Sequence, residues 1–234
     1  MGFYPDMENI YLLITIIKKS ESEEFIDFFL ERHTHPIYST LCEGSTRESK
    51  LKTFGLEKSE KILMESIVTE SKMRELIYDL THTKQLYLPD RGIAMAIPLS
   101  SIASRKVLES IISENVCDEN SKKKGINERT NTMELIVAIC AKGHTNEIMT
   151  VAREAGATGG TIVKAKGTAK AGTDKFFGMA ISDEKELVYI VSRKNTKSGI
   201  MKAIASYTYD ESAHPVVFSL PITETAGFRF SVEE

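Results

Sequence analysis

The 234 residues carry a formal net charge of −3, with 27% charged side chains. That balance leaves no bulk field to recruit nucleic acid or an acidic membrane. The length accommodates one or two domains, and the apolar stretch Ile10–Ile17 is too short to span a bilayer and lacks a cleavage site after it.

The first predicted element is a strand over Tyr11–Lys18, rich in β-branched and apolar residues. Ser20 and Glu23 form a capping-box pattern ahead of a helix that carries Phe25, Phe28, Phe29 and Arg32 at helical spacing. A second strand is expected at about Pro36–Cys42, after which Gly44 opens a polar loop to Lys52. Ile62–Val68 reads as the third strand. Ser71 is the expected cap of a helix with Met73, Leu76, Ile77 and Leu80 on one face, and Ile93–Ile97 is a fourth strand closed by Pro98. Ser104–Glu114 has Val107, Leu108, Ile111 and Ile112 at helical spacing, and Cys117–Thr132 is a polar linker whose lysine run Lys122–Lys124 reads as solvated.

The second half repeats this order at one offset. Leu12 pairs with Leu135, Ile16 with Ile139, Lys19 with Lys142, Glu24 with Glu147, Gly44 with Gly167 and Pro98 with Pro221, each 123 residues apart. Its elements are a strand at Leu135–Ala141, a helix at Asn146–Ala155 stopped by Gly156, a strand at Thr161–Lys166 and the loop Gly167–Lys175. A strand at Leu187–Val191, a helix at Lys197–Tyr207 and a strand at Val216–Leu220 complete it.

Two β-α-β-β-α-β units predict an α+β protein of two tandem ferredoxin-like modules, each a four-stranded antiparallel sheet with its helices on one face. The expected boundaries are 1–115 for the first repeat with its extra helix, 116–131 for the linker and 132–234 for the second repeat. Strands one and three should be central. In Leu12–Ile17 both alternating sets are largely apolar, so the sheet face away from the helices is expected to be covered by the other repeat or another subunit.

No nucleophile–base–orienter set presents itself, which argues against an enzyme. The triplet His33–His35 has no carboxylate or cysteine at ligand spacing and reads as loop histidines. Cys42, Cys117 and Cys140 lack CxxC spacing and read as reduced cytosolic thiols. The informative stretch is Gly156–Gly172. There Gly160, Thr161, Lys164, Lys166, Gly167, Thr168 and Lys170 supply close-approach backbone, hydroxyls and positive charge suited to a phosphate-bearing ligand. The pattern is neither a P-loop nor a dinucleotide fingerprint, and a tight turn followed by a basic loop explains the same residues.

ATGGTIVKAKGT (157–168), KFFG (175–178) and EKELVYIVS (184–192), with RGIAMAIPLSS (91–101) in the first half, resemble the P-II-type nitrogen-regulatory signalling proteins, above all their short-loop relatives. The resemblance covers nearly all of 133–222 and, more weakly, 8–102. It implies a cytoplasmic, non-enzymatic regulator that assembles as a homotrimer, acts on a protein target and binds an adenine nucleotide such as ATP or ADP between neighbouring modules. No nucleic-acid partner and no membrane insertion are expected, from the charge balance and the short apolar stretch. Gly167–Lys175 and Gly44–Lys52 would be the signalling loops. The phosphate-contacting turn would fall at Asp90-Arg91-Gly92 and at Ser212–His214, with Arg91 and Gly92 as contacts. Of the family's TGxxGDGK pattern only Gly92 is present, with Ile93 in place of the lysine. A module that kept the fold without the ligand, acting as a scaffold, is the alternative. An RNA-binding module is disfavoured because paired stacking aromatics are missing from the central strands.

Overall fold

A computed structural model describes residues 9–34, 37–46, 59–102, 109, 111, 113, 133–166, 184–208 and 214–228. Two βαββαβ modules follow one another. The first has β1 (Ile10–Lys18), α1 (Ser22–Glu31), β2 (Tyr38–Thr46), β3 (Ser59–Thr69), α2 (Glu70–His82) and β4 (Ile93–Pro98). The second has β5 (Met133–Ala141), α3 (Thr145–Glu154), β6 (Gly159–Lys166), β7 (Glu184–Arg193), α4 (Lys194–Ala205) and β8 (Val216–Ile222). A three-residue strand, β9 (Glu224–Ala226), comes last. The fold is α+β with ferredoxin-like modules, as the order of elements predicts. The pairs β1/β5 and α1/α3 begin and end 123 residues apart.

The chain forms two compact units that do not coincide with its halves. One comprises Met1–Thr40, Ile62–Asn131 and Ile222–Glu234, the other Leu41–Lys61 and Thr132–Pro221. The sheet of the first unit runs β3-β1-β4-β9, with β1 against β4 from Tyr11↔Pro98 to Ile16↔Ile93. That of the second runs β8-β5-β7-β6-β2, with β5 against β7 from Met133↔Arg193 to Ala141↔Lys185. The first and third strands of the second module, β5 and β7, are therefore flanked on both sides, as is β1 in the first unit.

Apolar periodicity explains the helical side of each sheet. In the first unit Leu13, Ile17, Met64 and Val68 pack under Phe25, Phe28 and Phe29 of α1 and under Met73, Leu76, Ile77 and Leu80 of α2. In the second, Ile136, Ala138, Ile162, Val188 and Ile190 pack under Ile148, Met149 and Ala152 of α3 and under Ile200 and Ile204 of α4. The opposite face is buried too, at Ile14, Ile16, Leu63, Met95 and Ile97 and at Leu135 and Val137. Within the predicted helix at 104–114, Glu109, Ile111 and Ser113 are described and helical, with Ile111 buried. The linker lies outside the described residues.

Three local expectations are corrected. The Ser20–Glu23 capping box does not form, because a single 3-10 turn at Lys19–Glu21 leads into α1 and Glu21 takes the cap position without a side-chain bond. The cap of α2 is Thr69, whose Oγ1 accepts from the Lys72 amide at 3.4 Å, and Ser71 already lies inside the helix. Gly44 does not open a loop. It is buried inside β2, opposite Thr161 of β6, and a Cβ there would stand 2.8 Å from Ser59 Oγ. The missing side chain lets β2 continue where a polar run looks like a turn.

Candidate functional site

The glycine- and lysine-rich stretch singled out in the sequence forms β6, and strand alternation divides its residues between two faces. Gly160, Ile162, Lys164 and Lys166 point to the helical side, while Thr161 shares the other face with Val163 and Ala165. Gly160 has a packing duty: a Cβ there would lie 2.8 Å from Met149 Sδ, so its absence lets α3 approach the sheet. Gly156, at φ +103°, ends α3 as the sequence predicts. Gly167, Thr168 and Lys170 lie outside the described residues, as does the loop Gly167–Lys175.

Lys164 and Lys166 are exposed, yet they stand in a balanced ladder of charge. Antiparallel register sets Lys164 opposite Glu186 and Lys166 opposite Glu184. Lys164 Nζ is 3.0 Å from Glu43 Oε1 on β2, and that hydrogen bond holds its ammonium above the ordinary lysine range. Lys142 pairs with Glu184, which keeps that carboxyl below the usual carboxylate range. Glu186 is buried and accepts from the Gly143 amide at 3.0 Å. An anion arriving here competes with carboxylates already in place.

Arg91 and Gly92 lie in the first unit, in the turn entering β4. Lys18 Nζ is 2.6 Å from Asp90 Oδ2 and Arg91 Nη1 is 3.2 Å from Glu21 Oε1. Asp90 and Gly92 both have positive φ, +60° and +127°. At Gly92 a Cβ would sit 2.5 Å from the Ile16 carbonyl oxygen, so the turn requires glycine. Of the second-half counterpart Ser212–His214, only His214 is described.

His33 is exposed in a left-handed conformation (φ +53°) where α1 ends, and His35 lies outside the described residues. Among the described residues no group of three or more His, Cys, Asp or Glu gathers to hold a metal. Cys42 and Cys140 are buried free thiols, pushed up to about 11 and about 12 by desolvation.

Sequence reasoning missed a buried ionic cluster. Lys72, only 1% exposed, donates from Nζ to both Glu75 carboxylate oxygens (3.3 and 3.1 Å) and to the Arg32 carbonyl (3.0 Å). Arg32 donates from Nε to Asp79 at 2.9 Å and lies 3.8 Å from the centre of the Phe28 ring. The residues 123 positions on are Ala155, Asn195, Ser198 and Lys202, so the second module lacks the set. The available signal was the spacing of Lys72, Glu75 and Asp79 along one flank of α2.

The second module carries a family signature. Residues 133–231 match the family model of the nitrogen regulatory protein P-II. This P-II-like region spans β5 to β9 and contains β6 with its lysine ladder. No curated protein matches the chain. Among solved structures, the crystal structure of aspartate kinase from Synechocystis aligns over 91% of this chain and 43% of its own length, at 8% identity and a TM-score of 0.27. The chain thus spans less than half of that protein, and so low a score supports no inference. Among the described residues no helix is long and apolar enough to cross a membrane.

Proposed function

We propose that this chain is a non-enzymatic, cytoplasmic regulator of the P-II kind, built by duplication of one ferredoxin-like module. It acts through contact with a target protein and assembles as a homo-oligomer, a trimer. The P-II match over 133–231 carries this reading, and the βαββαβ order of both modules supports the duplication. In the finer reading a phosphate-bearing small molecule, an adenine nucleotide such as ATP or ADP, engages Lys164 and Lys166 together with the Gly167–Lys170 segment. Arg91–Gly92 is the corresponding position in the first module.

Thermal-shift titration with ATP, ADP, AMP, cyclic dinucleotides and 2-oxoglutarate tests it. Stabilisation should grow with ligand concentration, reaching about 2.7 kcal/mol at a hundred times Kd. Replacing Lys164, Lys166 and Lys170 together with alanine should abolish the shift, and Glu43→Gln should enlarge it by removing the competing carboxylate. A flat response across the panel refutes the small-molecule reading. The second reading, an interaction module without a ligand, is favoured by one observation: Glu43, Glu184 and Glu186 already supply counter-charge to the β6 lysines.

A further inference from the structure

Two helices of this chain carry charge of one sign only. α1 holds Glu23, Glu24, Asp27 and Glu31 and no cation, while α4 holds Lys194, Lys197 and Lys202 and no carboxylate. α2 and α3 mix both signs. Lys84 engages Glu24, and Glu134 engages Lys197. Glu23, Asp27, Lys194 and Lys202 take no part in ion pairs among the described residues, and all four are exposed. Helical spacing groups them: Glu23, Asp27 and Glu31 recur every fourth residue along one face of α1, as Lys194, Ser198 and Lys202 do on α4. Each stripe is about 12 Å long.

Both stripes place charge at an unfavourable helix end. Glu31 sits in the last turn of α1, where the dipole favours a cation, and Lys194 opens α4, where it favours an anion. An antiparallel contact between the two faces corrects both, setting Glu31 against Lys194 and Glu23 against Lys202. Two further features fit. Gly199 lies in the interior of α4 with nothing among the described residues within 4 Å of an added Cβ, so packing within the chain gives no reason for a residue that weakens the helix. A bare Cα there lets a second helix approach closely. Leu30, 48% exposed on the acidic face, supplies apolar surface to the same contact. We infer that the acidic face of α1 in one copy docks antiparallel on the basic face of α4 in a second copy. The two patches differ, so the contact runs head to tail and closes as a ring. Its closure at three copies rests on the trimer proposed above.

The test is sedimentation over a concentration series, with the full chain and with charge-reversed variants that keep native circular dichroism. Lys194→Glu with Lys202→Glu, or Glu23→Lys with Glu31→Lys, should each weaken association at least tenfold. Combining both sets in one chain restores complementarity and should restore the native assembly, and failure to recover overturns the pairing. Gly199→Leu, which fills the approach, should weaken association likewise, and no effect there contradicts the close packing. An assembly that neither reversal affects overturns the contact and leaves the trimer standing. Reversal-sensitive association at another size upholds the contact and overturns the trimer. A native chain that stays monomeric overturns both. If the reversed chains do not fold, the native chain decides: its association should weaken at least tenfold between about 0.05 and 0.5 M salt, and salt-independent association overturns the contact.

Discussion

Replacing Lys72 with methionine tests the physical account of the first unit. The ammonium is buried, satisfies both oxygens of a carboxylate whose side chain is only 8% exposed, and caps the Arg32 carbonyl. Methionine fills most of the volume but leaves Glu75 as a buried charge without its counter-ion, because Arg32 is already engaged with Asp79 at 2.9 Å. Breaking one side of such a pair costs about 3–5 kcal/mol. Replacing Glu75 with leucine in the same chain removes the orphaned charge. What remains is one carbonyl without its donor, about 1–3 kcal/mol, partly offset by new apolar contact. The double variant should therefore be at least about 1 kcal/mol more stable than Lys72→Met alone. The assay is urea unfolding followed by circular dichroism, since the chain has no tryptophan to report. A cost below about 1 kcal/mol for Lys72→Met, or a double variant no better than the single, refutes the reasoning.

Further outcomes follow from single positions. Gly92→Ala should cost about 1–3 kcal/mol, near the upper end, because strain at φ +127° adds to overlap with the Ile16 carbonyl. Gly156→Ala, at φ +103° with nothing within 4 Å of the added Cβ, should cost less in the same unfolding assay. Cys42 and Cys140 should resist thiol reagents at pH 8 while folded and react on unfolding, and equal rates in both states contradict their burial. Both thiols are raised from 9.0, so the stability of keeping them protonated is complete below about pH 9. It is lost as pH rises through about 11 and about 12, which unfolding titrations between pH 8 and 11 should register as a progressive decline. Glu70 is held below the ordinary carboxyl value, first by the Asn9 hydrogen bond and then by Arg74. Its contribution is present above pH 4.5 and fades as pH falls, and Asn9→Ala should flatten that acid limb.

The order of elements and the core faces were legible because burial imposes periodicity: Met73, Leu76, Ile77 and Leu80 recur at helical spacing and all are buried. The caps were less legible. Ser20, Thr69 and Ser71 are equally competent hydroxyls, and the entry path of the chain decides among them. β9 was not legible, since Glu-Thr-Ala has no apolar alternation and becomes a strand only because the β4 edge, Gly92 and Leu86 meet it. The same holds at the candidate site. The sequence shows Lys164 and Lys166 as positive charges, but only register reveals Glu184 and Glu186 opposite them and Glu43 beside Lys164. The buried cluster of Lys72 was hidden because its partner carbonyl lies 40 residues away.

The most direct measurement of the regulatory account is a calorimetric titration of ATP into the full chain, repeated with Lys164, Lys166 and Lys170 replaced by alanine. Saturable heat with the native chain and none with the triple variant is the predicted result. No heat from the native chain, or unchanged heat from the variant, contradicts a nucleotide site on β6.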